Sequence, residues 1–477
     1  MSNYRKPSNH VGGKPVVCLV SLGCAKNTVD SERLLGLLVT AGFLIAADPA
    51  DADLCLVNTC GFINDARAES AATLRELAGL KTRGRLKAVA ALGCLAERAH
   101  DVPELAGLLA PADALIRFDD YPRLAKICRA LLEQKTPAAS PAAGTGHMPE
   151  NFSRIPRLRI GAVHTAYLKI SEGCSNPCRF CAIPRIRGRQ VSRPIKALVQ
   201  EARELIALGA REVNLIAQDT TSYGRDLYGA FRLPALLRAL QALPDPVWFR
   251  LLYAYPLHLS AAVLDVLASD ERFCRYLDLP LQHISDTMLA AMGRGMTRSQ
   301  TVALLDRLPR KLPGVALRTS FIVGYPGERE RDFAELLDFV REGRFTHAGV
   351  FLYSHEPRTP AARLQDNVPL AEKIRRRDVL LAAQRTVSRQ HQQARVGCTV
   401  RVLVDGPLER GVRVPAGARV IARSRHEAPE VDGVIFLRGA GAQRLAPGTF
   451  LDARVVRGLD YDAVAEIGKK DKVESDA

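Results

Sequence analysis

The sequence has no run of about 18 apolar residues, which excludes a membrane-spanning helix and a membrane partner reached through one. The opening stretch MSNYRKPSNHVGGKP lacks the apolar core of a signal peptide, so the expected compartment is the cytoplasm. No internal repeat is present, which sets aside a repeat array. The cysteine count, 11, is odd, and six of these residues fall in two motif-like sets. Such usage reads as metal ligands in a reducing compartment rather than a disulfide framework. Nor is there a block of like charge: 67 Lys and Arg against 51 Asp and Glu give a net +16 that is spread through every segment. That balance favours an anionic partner such as nucleic acid or a ribonucleoprotein, with direct nucleic-acid contact secondary.

What the chain does have is EGCSNPCRFCAIPRIRGR, in which Cys174, Cys178 and Cys181 follow a C-x-x-x-C-x-x-C spacing. Three thiolates on one tight loop are enough to hold three irons of a cubic iron–sulfur cluster and too few to hold all four. An open metal position is what a reactive site needs, because an exogenous ligand can coordinate there. The competing reading, a zinc knuckle, requires a fourth Cys or His at short spacing, and none follows.

The 477 residues suffice for roughly three domains. Apolar, β-branched runs at VVCLVS, ADLCLVN, LKAVAAL and DALIR alternate with helical patterns, which predicts a parallel α/β domain over 14–135. A Pro-, Ala- and Gly-rich linker is expected over 136–159. Strand-like runs then recur at TAYLKIS, REVNLIAQ, VWFRLLYA, RYLDLPL, VALRTSFIVG and HAGVFLYS, most followed by helical patterns. Six such units predict a partial (β/α) barrel over 160–394, with the cysteine loop after its first strand, where barrel enzymes place their chemistry. Short strands with Gly-containing turns predict a small antiparallel β-barrel over 395–460, followed by a charged tail over 461–477.

Cys24, Cys60 and Cys94 lie in SLGCAKN, NTCGFI and ALGCLAE, each at the end of a predicted strand and before a helical segment. Those ends open onto one crevice of a parallel sheet, so the three thiols can converge; spacing alone also allows three ordinary cysteines in Gly-containing turns. Helix N-termini after the turns would aim amides at the site, and Asp30 and Ser31 read as helix capping. Cys18 and Cys55 read as small buried thiols. Met288, Met292 and Met296 read as a core stripe, and Arg375, Arg376 and Arg377 as a solvated helix face or a ribosome contact.

At its cysteine loop the sequence resembles the radical S-adenosylmethionine (SAM) enzymes, in which the open iron chelates SAM. Over almost its whole length it resembles the methylthiotransferases. SLGCAKNTVDSERL, NTCGFINDARAES, YLKISEGC, AIPRIRGRQVSRP, AQDTTSYG, YLDLPLQH and RSRHEAPEVDG are most similar to the branch that modifies an aspartate of small-subunit ribosomal protein twelve. The resemblance implies two [4Fe-4S] clusters, one on Cys174, Cys178 and Cys181 and an auxiliary one on Cys24, Cys60 and Cys94. It also implies SAM, a C-terminal TRAM barrel that helps recognise the target, an electron donor, and a target met on the ribosome or an assembly intermediate. The implied reaction places a methylthio group on the aspartate β-carbon. Gly324 and Gly327 in FIVGYPGE are candidates for SAM contact, since missing side chains permit close approach; the alternative is an ordinary turn. Gln218 with Asp219, and Gln282 with His283, end predicted strands and are candidates for the barrel mouth, with capping as the alternative. The runner-up reading is a tRNA adenosine methylthiotransferase; a non-catalytic iron–sulfur RNA-binding protein is the alternative from another class.

Overall fold

The computed structural model describes residues 13–82, 84–135, 148–243, 247–408 and 414–468. The first half of the expected linker, 136–147, and the end of the expected tail, 469–477, lie outside the described residues. The chain forms two compact units. One takes in the chain up to Ile160 together with Ala182–Arg189; the other comprises Gly161–Cys181 and Gln190 onward.

The first unit is built on a parallel sheet of β1 (Val16–Ser21), β2 (Leu44–Ala46), β3 (Leu54–Thr59), β4 (Ala88–Gly93) and β5 (Ala114–Ile116), in the order β2-β1-β3-β4-β5. Every residue of β3 and β4 is buried, because helices cover both faces of a parallel sheet; this is why LCLVNT and AVAALG read as continuous rather than alternating runs. The strand order reverses between β1 and β3, and in such sheets the crevice beyond the strand ends at that point is the usual ligand position. Helix Ala25–Thr40 follows β1, helix Asn64–Leu80 follows β3, and helix Cys94–Asp101 follows β4 directly.

The second unit begins with β6 (Thr165–Lys169), followed by a short antiparallel pair, β7 (Ser171–Glu172) and β8 (Val191–Ser192). The strands β9 (Glu212–Ile216), β10 (Trp248–Leu251), β11 (Tyr276–Asp278), β12 (Ala316–Val323) and β13 (His347–Leu352) complete two parallel arcs, β6-β9-β10 and β11-β12-β13. A parallel bridge between Phe249 and Phe273 joins them, so six strands follow one another as a partial barrel, as expected. Helices such as Ile195–Ala207, Leu233–Gln241 and Glu330–Arg341 bury their Leu- and Phe-rich faces against it. No helix among the described residues is long and apolar enough to cross a membrane.

After helix Leu370–Ala394 comes a closed barrel of β14 (Thr399–Pro407), β15 (Val420–Ser424), β16 (Ile435–Arg438), β17 (Phe450–Gly458) and β18 (Ala463–Ile467). Its core takes every second residue: Val402 and Val404, Val420 and Ala422, Ile435 and Leu437, Ala453 and Val455, Ala463 and Ala465. Four of the strands match the sequence reading. The fifth, Ala463–Ile467, falls in the stretch read as tail, so the barrel runs past the expected boundary at 460. Four of the five pairings are antiparallel and β16–β18 is parallel, because an odd number of strands cannot alternate direction all the way around a ring.

The second unit is stitched internally by buried charge. Glu212 at the start of β9 accepts from Arg250 Nε (2.7 Å) and from Arg423 Nη1 (2.6 Å), and Arg423 in turn holds Asp405 at 2.9 Å. Asp432 accepts from Tyr276 Oη (2.7 Å) and pairs with Arg318. RSRHEAPEVDG therefore packs under the N-terminal ends of the barrel strands: Glu427 and Ala428 are buried, and Arg250 donates to the Arg425 carbonyl (2.8 Å).

Candidate metal centres

The loop of Cys174, Cys178 and Cys181 leaves the C-terminal end of β6, the first barrel strand, as the barrel rule predicts. It is fixed from several sides. Asn176 N donates to Cys174 Sγ (3.5 Å), while Asn176 Nδ2 donates to the buried Asp219 (2.9 Å). Asp219 also accepts from the Thr221 amide (2.9 Å) and hydroxyl (2.6 Å) and contacts His258 Nδ1 at 3.1 Å. Burial opposes the Asp219 charge, but these partners outweigh it and hold the carboxyl below its ordinary range. Arg294 Nη1 lies 3.2 Å from Cys178 Sγ, with its guanidinium 4.1 Å above the Tyr255 ring and Nη2 on the Pro280 carbonyl (2.6 Å). Gly293 (φ +70°) lets that turn meet the loop: a Cβ there would stand 2.7 Å from the Pro177 carbonyl oxygen. Phe180 packs among Met288, Met292, Tyr325 and Tyr353, so these two methionines are core, while the half-buried Met296 lies beyond helix Asp286–Ala291 and packs against the barrel core.

The other strand-end candidates sit as follows. Gln218, half-buried, directly precedes Asp219. Gln282 has φ 75° and is pinned by its backbone, with its amide on Ser320 O and its carbonyl accepting from Ile322 N (each 2.8 Å). His283 is fully buried, with Nε2 facing Glu328 Oε1 at 3.7 Å. Gly324 (φ +74°) presents its bare face to the Lys373 stem, and its amide donates to Glu328. The Gly327 amide donates to Asn367 Oδ1 (2.8 Å).

In the first unit the three strand-end cysteines converge. Cys24 is the residue before helix Ala25–Thr40, Cys60 follows β3, and Cys94 opens helix Cys94–Asp101. A Cβ on Gly23 (φ +92°) would lie 2.9 Å from Cys60 Cβ and 3.2 Å from its sulfur, and one on Gly61 would lie 2.9 Å from the Cys94 carbonyl. Burial pushes the Cys94 thiol up to about 12, with Arg187 opposing and Cys24 and Cys60 adding to the rise. Burial likewise pushes Cys174 up to about 11. Both thiols stay protonated at neutral pH until a cation displaces the proton.

Around these thiols runs a buried polar network that the sequence reading missed. Asn27 donates to the Leu22 carbonyl (3.0 Å) and the Thr59 carbonyl (3.3 Å). Arg187, in the segment Ala182–Arg189, donates through Nε to Cys94 Sγ (3.3 Å) and through Nη2 to Asn27 Oδ1 (2.7 Å) and Asp30 Oδ2 (3.0 Å). Asp30 and Ser31 are therefore not caps. The helix begins at Ala25, too early for either to reach its free amides, and Ser31 instead bonds Ser21 Oγ (2.8 Å) and accepts from Asn58 (2.9 Å). Arg376, read as part of a solvated face, is buried on Glu372 (2.7 Å) and Glu328. Sequence separations of 93 residues for Arg187–Cys94 and 116 for Arg294–Cys178 explain why local motifs did not disclose either arginine.

Among the described residues, no three His, Cys, Asp or Glu side chains stand at the spacing one metal ion needs. A cubic cluster puts each thiolate on a different iron and so requires wider spacing. The sulfur-directed N–H groups of Asn176, Arg294 and Arg187 suit such ligands.

Three family descriptions match in order: Uncharacterized protein family UPF0004 over residues 16–112, the Radical SAM superfamily over 168–340, and the TRAM domain over 396–467. Two solved structures of the radical S-adenosylmethionine methyltransferase TsrM from Kitasatospora setae share this fold with a TM-score of 0.53. One is 19% identical, covering 73% of this chain and 77% of that one; the other is 17% identical, covering 84% and 80%. Among curated relatives, the ribosomal protein uS12 methylthiotransferase RimO of Anaeromyxobacter sp. (strain K) is 43% identical over 95% of this chain and 94% of its own. That of Geobacter sulfurreducens is 42% identical over 95% of this chain and 99% of its own. The chain belongs to the ribosomal protein uS12 methylthiotransferase RimO family.

Proposed function

We propose that this chain is a radical SAM methylthiotransferase that places a methylthio group on the β-carbon of an aspartate in ribosomal protein uS12. The radical SAM match implies a [4Fe-4S] cluster and SAM. In this reading Cys174, Cys178 and Cys181 hold that cluster, and Cys24, Cys60 and Cys94 hold a second one that serves sulfur transfer. When bound, the clusters and SAM supply the hydrogen-abstracting radical and the sulfur and methyl groups, with an external donor supplying electrons.

The observation that carries the reading is the loop after β6, where two of the three thiols, Cys174 and Cys178, meet N–H groups already aimed at sulfur. Arg294 holds Cys178 while Tyr255 and the Pro280 carbonyl hold Arg294, so the sulfur has a fixed direction. Asp219 anchors Asn176 and, through it, the Cys174 turn. The net charge of +16 suits a target embedded in a ribosomal particle, since phosphate attraction is independent of sequence. The uS12 named for the relatives favours the protein target over tRNA.

Anaerobic reconstitution with SAM and reductant tests the assignment of the loop. Replacing Cys174, Cys178 and Cys181 with Ala is expected to abolish deoxyadenosine formation while the N-terminal cluster remains. Undiminished SAM cleavage would refute it.

A further inference from the structure

We infer that Arg187 is the positioning residue of the N-terminal cysteine triad, donating an N–H···S bond to the cluster ligand Cys94 and locking the turns that carry Cys24 and Cys60. The inference rests on the reading that these three cysteines hold a cluster. An arginine kept only for an ion pair would need no more than its carboxylate. Arg187 divides its planar fork instead: Nη2 serves Asp30 (3.0 Å) and Asn27 (2.7 Å), while Nε points at the Cys94 sulfur (3.3 Å). Its side chain is 1% exposed, and its guanidinium lies 5.5 Å from the Phe118 ring centre.

Asn27 extends this hold to the other two cysteines. Its amide donates to the carbonyls of Leu22, in the turn before Cys24, and of Thr59, the residue before Cys60. All three ligand-bearing segments thus meet on one Arg187–Asn27 pair. Rigid support of this kind is what a metal ligand set needs to keep its geometry.

The charge balance gives the inference a signature that a merely structural role lacks. Asp30 is 2% exposed on its side chain and neutralises Arg187, so Arg187 acts on sulfur chiefly through its N–H dipole. Removing that donor lowers the reduction potential of a cluster, since N–H···S bonds stabilise the more negative reduced state. Removing Asp30 while keeping Arg187 leaves an uncompensated positive charge beside the sulfur and raises the potential.

The experiment uses the full chain carrying Cys174→Ala, Cys178→Ala and Cys181→Ala, so that only the N-terminal site can load iron. Iron content and the midpoint potential, followed by electron paramagnetic resonance, are compared for this background and for Arg187→Gln, Arg187→Lys and Asp30→Asn added to it. The expected result is a more negative potential in both Arg187 variants and a more positive one in Asp30→Asn. A background that holds no cluster would overturn the underlying reading. A loaded background with the same potential in all variants would overturn the role of Arg187. Should Arg187→Gln fail to fold, Asp30→Asn decides the matter alone, with an unchanged potential counting against the inference.

Discussion

Arg294 Nη1 stands 3.2 Å from Cys178 Sγ, held there by the Tyr255 ring beneath its guanidinium and by the Pro280 carbonyl. The relation links the loop after β6 to the turn after helix Asp286–Ala291, whose Gly293 has no room for a side chain. Replacing Arg294 with Met removes a charge-assisted bond of about 1.5–3 kcal/mol, so SAM cleavage should slow by roughly one to two orders of magnitude. Iron content should stay near the parent value. Deoxyadenosine formation at the parent rate would show that the contact has no role in the chemistry.

Gly23 and Gly42 separate two reasons for glycine. Both have positive φ, +92° and +87°, but only Gly23 faces a neighbour, Cys60, whereas a Cβ on Gly42 meets nothing within 4 Å. Gly42→Ala should cost about 1–2 kcal/mol of stability from backbone strain and leave the iron content unchanged. Gly23→Ala should lower the iron held by the N-terminal site as well. Equal iron in the two variants would contradict the convergence of these turns on one centre.

Glu212 is completely buried between Arg250 and Arg423. Burial alone would raise its carboxyl, but the two guanidiniums outweigh that and hold it below its ordinary range. Glu212→Ala leaves the buried Arg250 without its carboxylate, while Arg423 keeps only Asp405, and should cost about 3–5 kcal/mol in denaturant unfolding. A loss under about 1 kcal/mol would mean that the second unit does not depend on this pair.

The same region carries a pH response. Burial pushes His426 down to about 4, so the folded chain keeps it neutral while the unfolded chain protonates near 6.5. The unfolded state therefore binds more protons between those values, and stability falls as pH drops from about 6.5 to about 4, by up to about 3 kcal/mol. Glu427 adds a second loss at lower pH. Burial opposes its charge, yet Arg395 holds it at about 2, so its contribution fades as pH falls from about 4.3 towards 2. Unfolding of the parent and His426→Gln across pH 4–7 checks the first step: the variant should show a flatter dependence.

Much of this architecture could be read from periodicity. The apolar runs of β3 and β4, the six strands from TAYLKIS to HAGVFLYS, and the cysteine loop after the first of them all stand where pattern places them. Ala463–Ile467 was missed because AVAEI is short and abuts a charged tail, and only closure of the barrel gives it a partner on each side. RSRHEAPEVDG is legible in the sequence only as a string of family resemblance; the structure sets its backbone on Arg250 and its Asp432 on Arg318 and Tyr276, residues far away in the chain. Asp30 illustrates the same limit. Its residue type suggests a cap, while its role depends on Arg187, which lies 157 residues away.

Reconstituted enzyme is incubated with SAM, reductant and either uS12 deuterated at its aspartate β-carbons or unmodified tRNA, and protein, tRNA and deoxyadenosine are analysed by mass spectrometry. The account predicts a methylthio group on one uS12 aspartate, deuterium in the deoxyadenosine, and unmodified tRNA. Methylthio-adenosine in the tRNA with uS12 unchanged would contradict it.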